Sequence, residues 1–354
     1  MQATSFVPVI ELTRGAIVES IHFGAIAVVD VNGNLVASNG DPDLVTFLRS
    51  SAKPFQALPF IERGGDEAFG LTEKEVALIC ASHSGTDEQV AAIEGMQKKI
   101  GISEQNLLCG THLPTYQVTA KAMLLRGEEP TPNRHNCSGK HTGMLAHAKL
   151  RNLPLKNYLD IDQPVQQSIL AAFAEMCDLP VYEVVLGIDG CSAPNFAVPL
   201  RHAALGYARL VDPAQLAPQR AAACRRITQA MTRHPDMIGG PGRFDTLLME
   251  QTGERILTKA GAEGFQGIGL LPGALGPGSP ALGIAFKISD GDAGGRARPC
   301  LAIEILRQLG ALSPGDVEAL ASFAPQRLYN YRHLQVGEMR GCFELERGKR
   351  GIGA

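Results

Sequence analysis

Apolar and polar residues change their spacing twice along this chain. From His22 to Gly40 the pattern is that of a hairpin. It has an apolar run, Ala25-Ile26-Ala27-Val28-Val29, a turn at Asn32-Gly33-Asn34 and a return at Leu35-Val36-Ala37. The middle of the chain then takes a helical period. Phe55 to Arg63 ends at Gly64-Gly65, Thr72 to Ala81 opens on a capping box of Thr72 and Glu75, and Asp87 to Ile100 stops at Gly101. Further helices are expected over Thr115 to Arg126, Met144 to Leu150, Val165 to Met176 and Ala214 to Arg233, with a short buried strand over Val181 to Ile188. After the glycine-rich turn Ile238 to Arg243 the pattern returns to strands, Phe265 to Leu271 and Leu282 to Ser289, separated by the turn Gly276-Pro277-Gly278. A helix over Pro299 to Leu309 and a last strand over Val336 to Glu344 follow, and the tail from Gly348 is expected to fray.

Strands at both ends and helices between them predict an α/β protein of the α+β kind. Its sheet lobe would be 1–50 with 238–354 and its mainly helical lobe 51–237, with the active site at the junction. A length of 354 residues fits two lobes better than one core. The formal charge of −3 comes without a basic run, which argues against nucleic acid as a partner. No apolar run reaches the ~18 residues of a membrane helix. Met1 to Arg14 lacks the charged and apolar regions of a signal peptide, and the eight cysteines are scattered without a C-x-x-C pair. A cytoplasmic protein with reduced thiols is the expectation.

Four constellations carry candidate chemistry. Ser50 and Lys53 in Arg49-Ser50-Ser51-Ala52-Lys53 have the S-x-x-K spacing. If Ser50 caps a helix, the amine lies one turn inside on the same face and can take the hydroxyl proton. The plain alternative is an N-cap followed by a surface lysine. Its position after the N-terminal hairpin is where serine β-lactamase-like proteins keep this serine. Ser82-His83-Ser84-Gly85-Thr86 is a dense hydroxyl loop after an apolar helix, either a helix end or a site loop. Lys259 in Thr258-Lys259-Ala260-Gly261 resembles the lysine strand motif of β-lactamases, with Ala260 at the hydroxyl position, and equally fits an exposed strand end. Cys137, Lys140 and His141, with Cys191 in a second glycine-rich loop, offer thiolate and imidazole donors that suit zinc, or are simply buried cysteines.

Taken in order, Arg49-Ser50-x-x-Lys53, Ser82-His83-Ser84-Gly85, His135-Asn136-Cys137-Ser138-Gly139-Lys140-His141, Gly187-Ile188-Asp189-Gly190-Cys191 and Lys259-x-Gly261-Ala262-Glu263-Gly264 resemble the class 3, rhizobial-type L-asparaginases of the asparaginase II family. The resemblance runs from about His22 to Glu344. It implies the fold of serine β-lactamases, penicillin-binding proteins and serine-type glutaminases, and hydrolysis of L-asparagine to L-aspartate and ammonia. It further implies two serine–lysine tandems, Ser50 with Lys53 and Ser82 with Lys259, and a Zn2+ ion held by Cys137, Lys140 and Cys191. His141 and Asp189 would line the pocket, and a homodimer is expected. Arg49 is the first candidate for the substrate α-carboxylate and Asp189 for its α-ammonium.

Two other readings stay open on the residues. One is a serine glutaminase or another amidase or β-lactam hydrolase on the same fold, since one methylene is discriminated by only ~1–3 kcal/mol. The other is a zinc-dependent amino-acid-binding protein without turnover. The threonine-dependent asparaginases are disfavoured, because neither an early T-G-G-T nor a G-T-V-G site occurs.

Overall fold

The computed structural model of the protein describes residues 5–323 and 326–348. Two compact units emerge. One comprises Met1–Ser51, Val198–Asp212 and Leu247–Ala354, and the other Ala52–Ala197 and Pro213–Thr246.

The first unit is built on an antiparallel sheet with nine strands among the described residues. From one edge to the other its main path runs Gln326–Tyr329, Gln335–Gly341, Val7–Arg14, Ile17–Asp30, Leu282–Ile288, Phe265–Leu270 and Ile256–Ala260. Leu35–Asn39 pairs with Ile17–Asp30 and with the short strand Glu346–Arg347. The sheet is thus assembled from both ends of the sequence, as the patterning implies. Its last three strands are buried on both faces and read as near-continuous apolar runs. Val7–Arg14 escapes a sequence reading because Pro8 interrupts its alternation. Of the tail expected to fray, Gly348 alone is described, and its amide bonds the Val36 carbonyl at 2.8 Å.

One helix belongs to a different unit from the one its position suggests. Leu200–Val211, inside the expected helical lobe, packs on strands Leu282–Ile288, Phe265–Leu270 and Ile17–Asp30. Two glycines permit the approach. A Cβ on Gly283 would lie 1.8 Å from the Ala204 carbonyl oxygen, and one on Gly267 would lie 2.0 Å from the Tyr207 ring.

The second unit is helical. At its centre is Lys53–Ile61, in which all nine residues are buried, as expected of a helix that is apolar all round. Ser138–Leu150, Pro164–Met176 and Pro218–Arg233 pack against it. The capping box at Thr72 forms, a second one forms between Thr86 and Gln89, and Gly101 closes the helix Asp87–Ile100 in the left-handed conformation. Ser138–Leu150 starts a turn and a half earlier than the apolar period indicates. Its first turns are small because a neighbour lies against them: a Cβ on Gly139 would fall 2.2 Å from the Leu78 carbonyl oxygen. Val185–Ile188 pairs with Pro194–Pro199, leaving Asp189 to Ala193 as the connecting loop. The first residues of the strand expected over Val181 to Ile188 form a 3-10 turn instead. Among the described residues no helix is long and apolar enough to cross a membrane.

His147, on the same helix as His141, is buried, and among the described residues neither ring nitrogen has a hydrogen-bond partner. Burial, helped by Arg151 and Arg63, pushes its pKa down from 6.5 to about 4. Above pH 6.5 both native and unfolded chains hold it neutral. Below that value the unfolded chain takes up a proton that the native chain refuses, so stability falls until about pH 4. Urea unfolding should therefore show that wild type loses up to ~1.4 kcal/mol per pH unit more than His147→Gln between pH 6.5 and 4. Parallel pH profiles for the two proteins would contradict this assignment.

Candidate active site

In the first unit the candidate residues meet at the turn that carries Ser50. Arg49–Ala52 is a 3-10 turn, and the α-helix begins only at Lys53 with Ala52 at its N-cap and no side-chain cap. Ser50 is therefore not a capping residue, contrary to the simplest reading of S-x-x-K. The turn is fixed by the neighbouring serine. Ser51 is buried and donates its hydroxyl to the Lys259 carbonyl at 2.6 Å, while the Ser51 carbonyl accepts from Tyr207 at 2.8 Å. Gly261 closes against the same turn, since a Cβ there would lie 2.4 Å from the Leu48 carbonyl oxygen. Lys259 is not an exposed strand end. It lies within Ile256–Ala260, fully buried, with Nζ donating to the Ala260 carbonyl at 2.8 Å. Arg49 adopts φ +54, the left-handed region that a non-glycine residue rarely occupies.

In the second unit Lys53 is 1% exposed. Its amine donates to the Ala81 carbonyl at 2.5 Å, the Ser82 hydroxyl at 2.9 Å and the Asn136 carbonyl at 3.4 Å. An amine of the first expected tandem thus touches the serine of the second. The loop that presents Ser82 is rigid. The Ser82 amide bonds the Ile238 carbonyl at 3.0 Å, and the Ser84 hydroxyl bonds the Gly239 carbonyl at 2.6 Å. His83 accepts the Gly85 amide at Nδ1, so its ring proton sits on Nε2 and is donated to Ser138 at 2.8 Å. Burial, then the charges of Lys53, His135 and His112, push the His83 pKa down to about 3, keeping the ring neutral.

Next to this loop the sulfur-bearing residues converge. Cys137, Lys140, His141 and Cys191 are all buried. Lys140 Nζ lies 2.9 Å from Cys191 Sγ, and Cys137 and Cys191 hydrogen-bond each other. That mutual hydrogen bond is the largest influence holding the Cys137 thiol well below its ordinary value, ahead of Lys53 and Lys140, while it pushes Cys191 up. The two thiols therefore titrate as a coupled pair. Burial opposes the Lys140 charge, but Cys191 and Cys137 outweigh it and hold the ammonium above the usual lysine range, with Asp189 adding to the effect.

The backbone around Cys137 is anchored by two imidazoles: the Asn136 amide donates to His112 Nε2 at 3.1 Å and the Cys137 amide to His135 Nδ1 at 3.0 Å. His141 sits deeper than a residue lining an open pocket would. It is 0% exposed, its Nδ1 is 2.6 Å from the Tyr158 hydroxyl, and burial lowers its pKa to about 4. Its Nε2 is buried and has no hydrogen-bond partner among the described residues, on a ring whose pKa the Cys191 sulfur raises against the burial. Asp189 is half-buried, and its carboxylate caps the Gly190 amide at 2.8 Å.

This donor set fits a soft or borderline metal ion. Two sulfurs and an amine meet in one buried place, the soft and nitrogen donors that such an ion takes. Among the described residues no three His, Cys, Asp or Glu side chains form such a group; here the third donor is the amine of Lys140. Tyr158 and Ser51 have no signature in the sequence, and only the packed structure reveals their contacts to the candidate residues.

Comparison with solved structures returns distant likenesses. The Bacillus subtilis glutaminase YbgJ, in covalent complex with 5-oxo-L-norleucine, is 12% identical over 80% of this chain and 87% of that chain, with a TM-score of 0.34. A β-lactamase, Mb2281c from Mycobacterium bovis, is 13% identical over 81% and 95%, with a TM-score of 0.40. A Bacillus glutaminase in 4.3 M NaCl is 13% identical over 80% and 90%, with a TM-score of 0.36. No curated protein sequence matches the chain. The family model described as L-asparaginase II matches residues 10–341, and the chain belongs to that family.

Proposed function

We propose that this protein hydrolyses L-asparagine to L-aspartate and ammonia, as a class 3, rhizobial-type member of its family, and works as a cytoplasmic homodimer. Family membership across residues 10–341 carries the reading. The buried Lys53 amine on the Ser82 hydroxyl supports it, because an amine in a dry site among carbonyls and hydroxyls is a means of moving serine protons.

In this mechanism Ser50 is the nucleophile and Lys53 its base. The Ser50 oxygen attacks the side-chain amide carbon while Lys53 takes the hydroxyl proton. Collapse of the tetrahedral intermediate breaks the C–N bond, and the leaving nitrogen takes a proton relayed through Ser82 and Lys259. The resulting β-aspartyl ester is hydrolysed by water, which returns the proton to Ser50. Arg49 meets the α-carboxylate. Asp189 accepts the α-ammonium, and His141 lines the same pocket. Cys137, Lys140 and Cys191 would hold zinc, which when bound would supply a fixed positive charge beside the Ser82 loop. The residues themselves bind, orient and move the protons.

Ammonia release from L-asparagine, with L-glutamine and a chromogenic β-lactam as parallel substrates, tests the activity. Ser50→Ala should lower asparagine turnover by ~10³-fold or more, Lys53→Met by a similar factor, and the double variant by no more than either, because nucleophile and base act as one unit. Ser51→Ala is the control. It keeps the nucleophile, loses far less activity, and costs ~1–3 kcal/mol in urea unfolding because the buried hydrogen bond from its hydroxyl to the Lys259 carbonyl is lost. Near-normal turnover in Ser50→Ala would sink the nucleophile assignment.

Elemental analysis tests the metal. Wild type should carry about one zinc per chain, and Cys137→Ala combined with Cys191→Ala should carry none. Chelation of wild type should lower its melting temperature, since a ligand bound only by the native state adds to stability. Full zinc occupancy in the double variant would remove the site.

A further inference from the structure

Within the first unit, a cavity of about 260 Å³ opens beside the nucleophile turn. It is smaller than the ~300–1,000 Å³ of pockets for drug-sized ligands, which fits a small metabolite. Val45 and Phe47 give it an apolar wall, and its polar groups are Arg49, Glu263, Lys287 and Ser289. Two positive charges and one negative charge therefore face one small space. Arg49 is the residue before Ser50, about 3.8 Å away along the backbone. Glu263 follows Lys259 and Gly261, which close on that same turn.

Two independent observations mark this cavity as built for binding. The first is Lys287. It is the one charged side chain of the strand Leu282–Ile288, at the one position of that strand that is only half-buried, beside the cavity. Its ammonium donates to the carbonyls of Glu263 and Ile288, which fixes its direction and uses two of its three protons. Burial is the main effect lowering its pKa and Arg49 adds to that, while Glu263 and Asp290 act in the opposite sense. The second observation is backbone strain. Arg49 at φ +54 and Glu263 at φ +57 both stand in the left-handed region without being glycine, and both line the cavity. Strain of this kind gathers where side chains must be aimed. Glu263 is further set by Gly291, where a Cβ would lie 2.6 Å from its carboxylate oxygen.

We infer that this cavity is the subsite for the α-amino and α-carboxylate groups of an amino acid, with Arg49 and Lys287 receiving the carboxylate and Glu263 the ammonium. The inference deepens the asparaginase reading and rests on it for the identity of the amino acid. A guanidinium offers a carboxylate two parallel hydrogen bonds and the lysine adds a point charge. The Glu263 carboxylate excludes simple anions such as phosphate and selects a zwitterion. Lys287 and Glu263 are thus specificity residues for the reaction in addition to Arg49, and Glu263 takes the part given to Asp189 above.

The test pairs variants with substrates that each lack one α-group. Succinamate is asparagine without the ammonium, and 3-aminopropanamide is asparagine without the carboxylate. Lys287→Met should raise KM for L-asparagine ~10–100-fold with little change in kcat, as loss of a charge-assisted hydrogen bond does, and leave kcat/KM for 3-aminopropanamide unchanged. Glu263→Gln should do the same for L-asparagine and leave succinamate unchanged. Lys287→Arg should recover part of the loss, which separates lost charge from lost folding. Equal losses on all three substrates would overturn the assignment. Calorimetric titration of the wild type and both variants with L-aspartate keeps the question apart from turnover. If the wild type releases no ammonia from asparagine but binds L-aspartate through Lys287 and Glu263, the subsite stands and the asparaginase reading falls. L-aspartate binding that is absent, or unchanged in both variants, overturns the subsite.

Discussion

A single buried hydroxyl organises the candidate residues of the first unit. Ser51 donates to the Lys259 carbonyl, and Tyr207 donates to the Ser51 carbonyl, so the turn before the Lys53 helix, the edge strand Ile256–Ala260 and the helix Leu200–Val211 are joined at one residue. Each element comes from a different third of the sequence. Remove the hydroxyl and the edge strand loses its side-chain tie to the turn that carries Ser50. The tight backbone at Gly261 serves the same closure, and the left-handed φ at Arg49 is the local distortion that the closure holds in place.

A second constraint governs the helical unit: space beside Leu78 and Ile79. Only glycine fits at 139 and 143, so the helix Ser138–Leu150 can lie directly against the segment that ends in Ser82. In the same unit Lys53 reaches the Ser82 hydroxyl, and Lys140, carried by that helix, reaches Cys191. The chemistry of the cluster follows from its dryness. The two thiols shift each other in opposite senses, and the Lys140 amine, which burial would neutralise, is held charged by their nearness.

These constraints explain what the sequence could and could not disclose. Capping at Thr72 and the glycine stop at Gly101 are local chemistry, and both could be read from a few adjacent residues. The ordered motifs around Ser50, Ser82, Cys137, Cys191 and Lys259 could be found because each is a short run of adjacent residues with a distinctive spacing. The start of the helix at Ser138 was hidden, since small polar residues look like a loop until a neighbour is known to need their smallness. Leu200–Val211 was hidden for the complementary reason, because its partners are glycines in strands more than fifty residues away. Ser51, Tyr158 and the depth of His141 depend on packing alone. Lys287 did leave a trace, a single charge in an apolar strand, whose meaning depends on residues 49 and 263 lying nearby in space.

The order of strands in the sheet has a consequence for how the protein comes into being. Ile17–Asp30 finds its neighbour in Leu282–Ile288, and Val7–Arg14 finds one of its two in Gln335–Gly341. On a ribosome adding about 5–20 residues per second, the first hairpin waits tens of seconds before the strands that cover its edges are made. Throughout that interval Ala25–Val29, an apolar stretch of high strand propensity, is exposed to other chains with a bare edge beside it. Yield in a foreign host is therefore governed by the rate of synthesis, the temperature and the supply of chaperones before the stability of the finished fold comes into play.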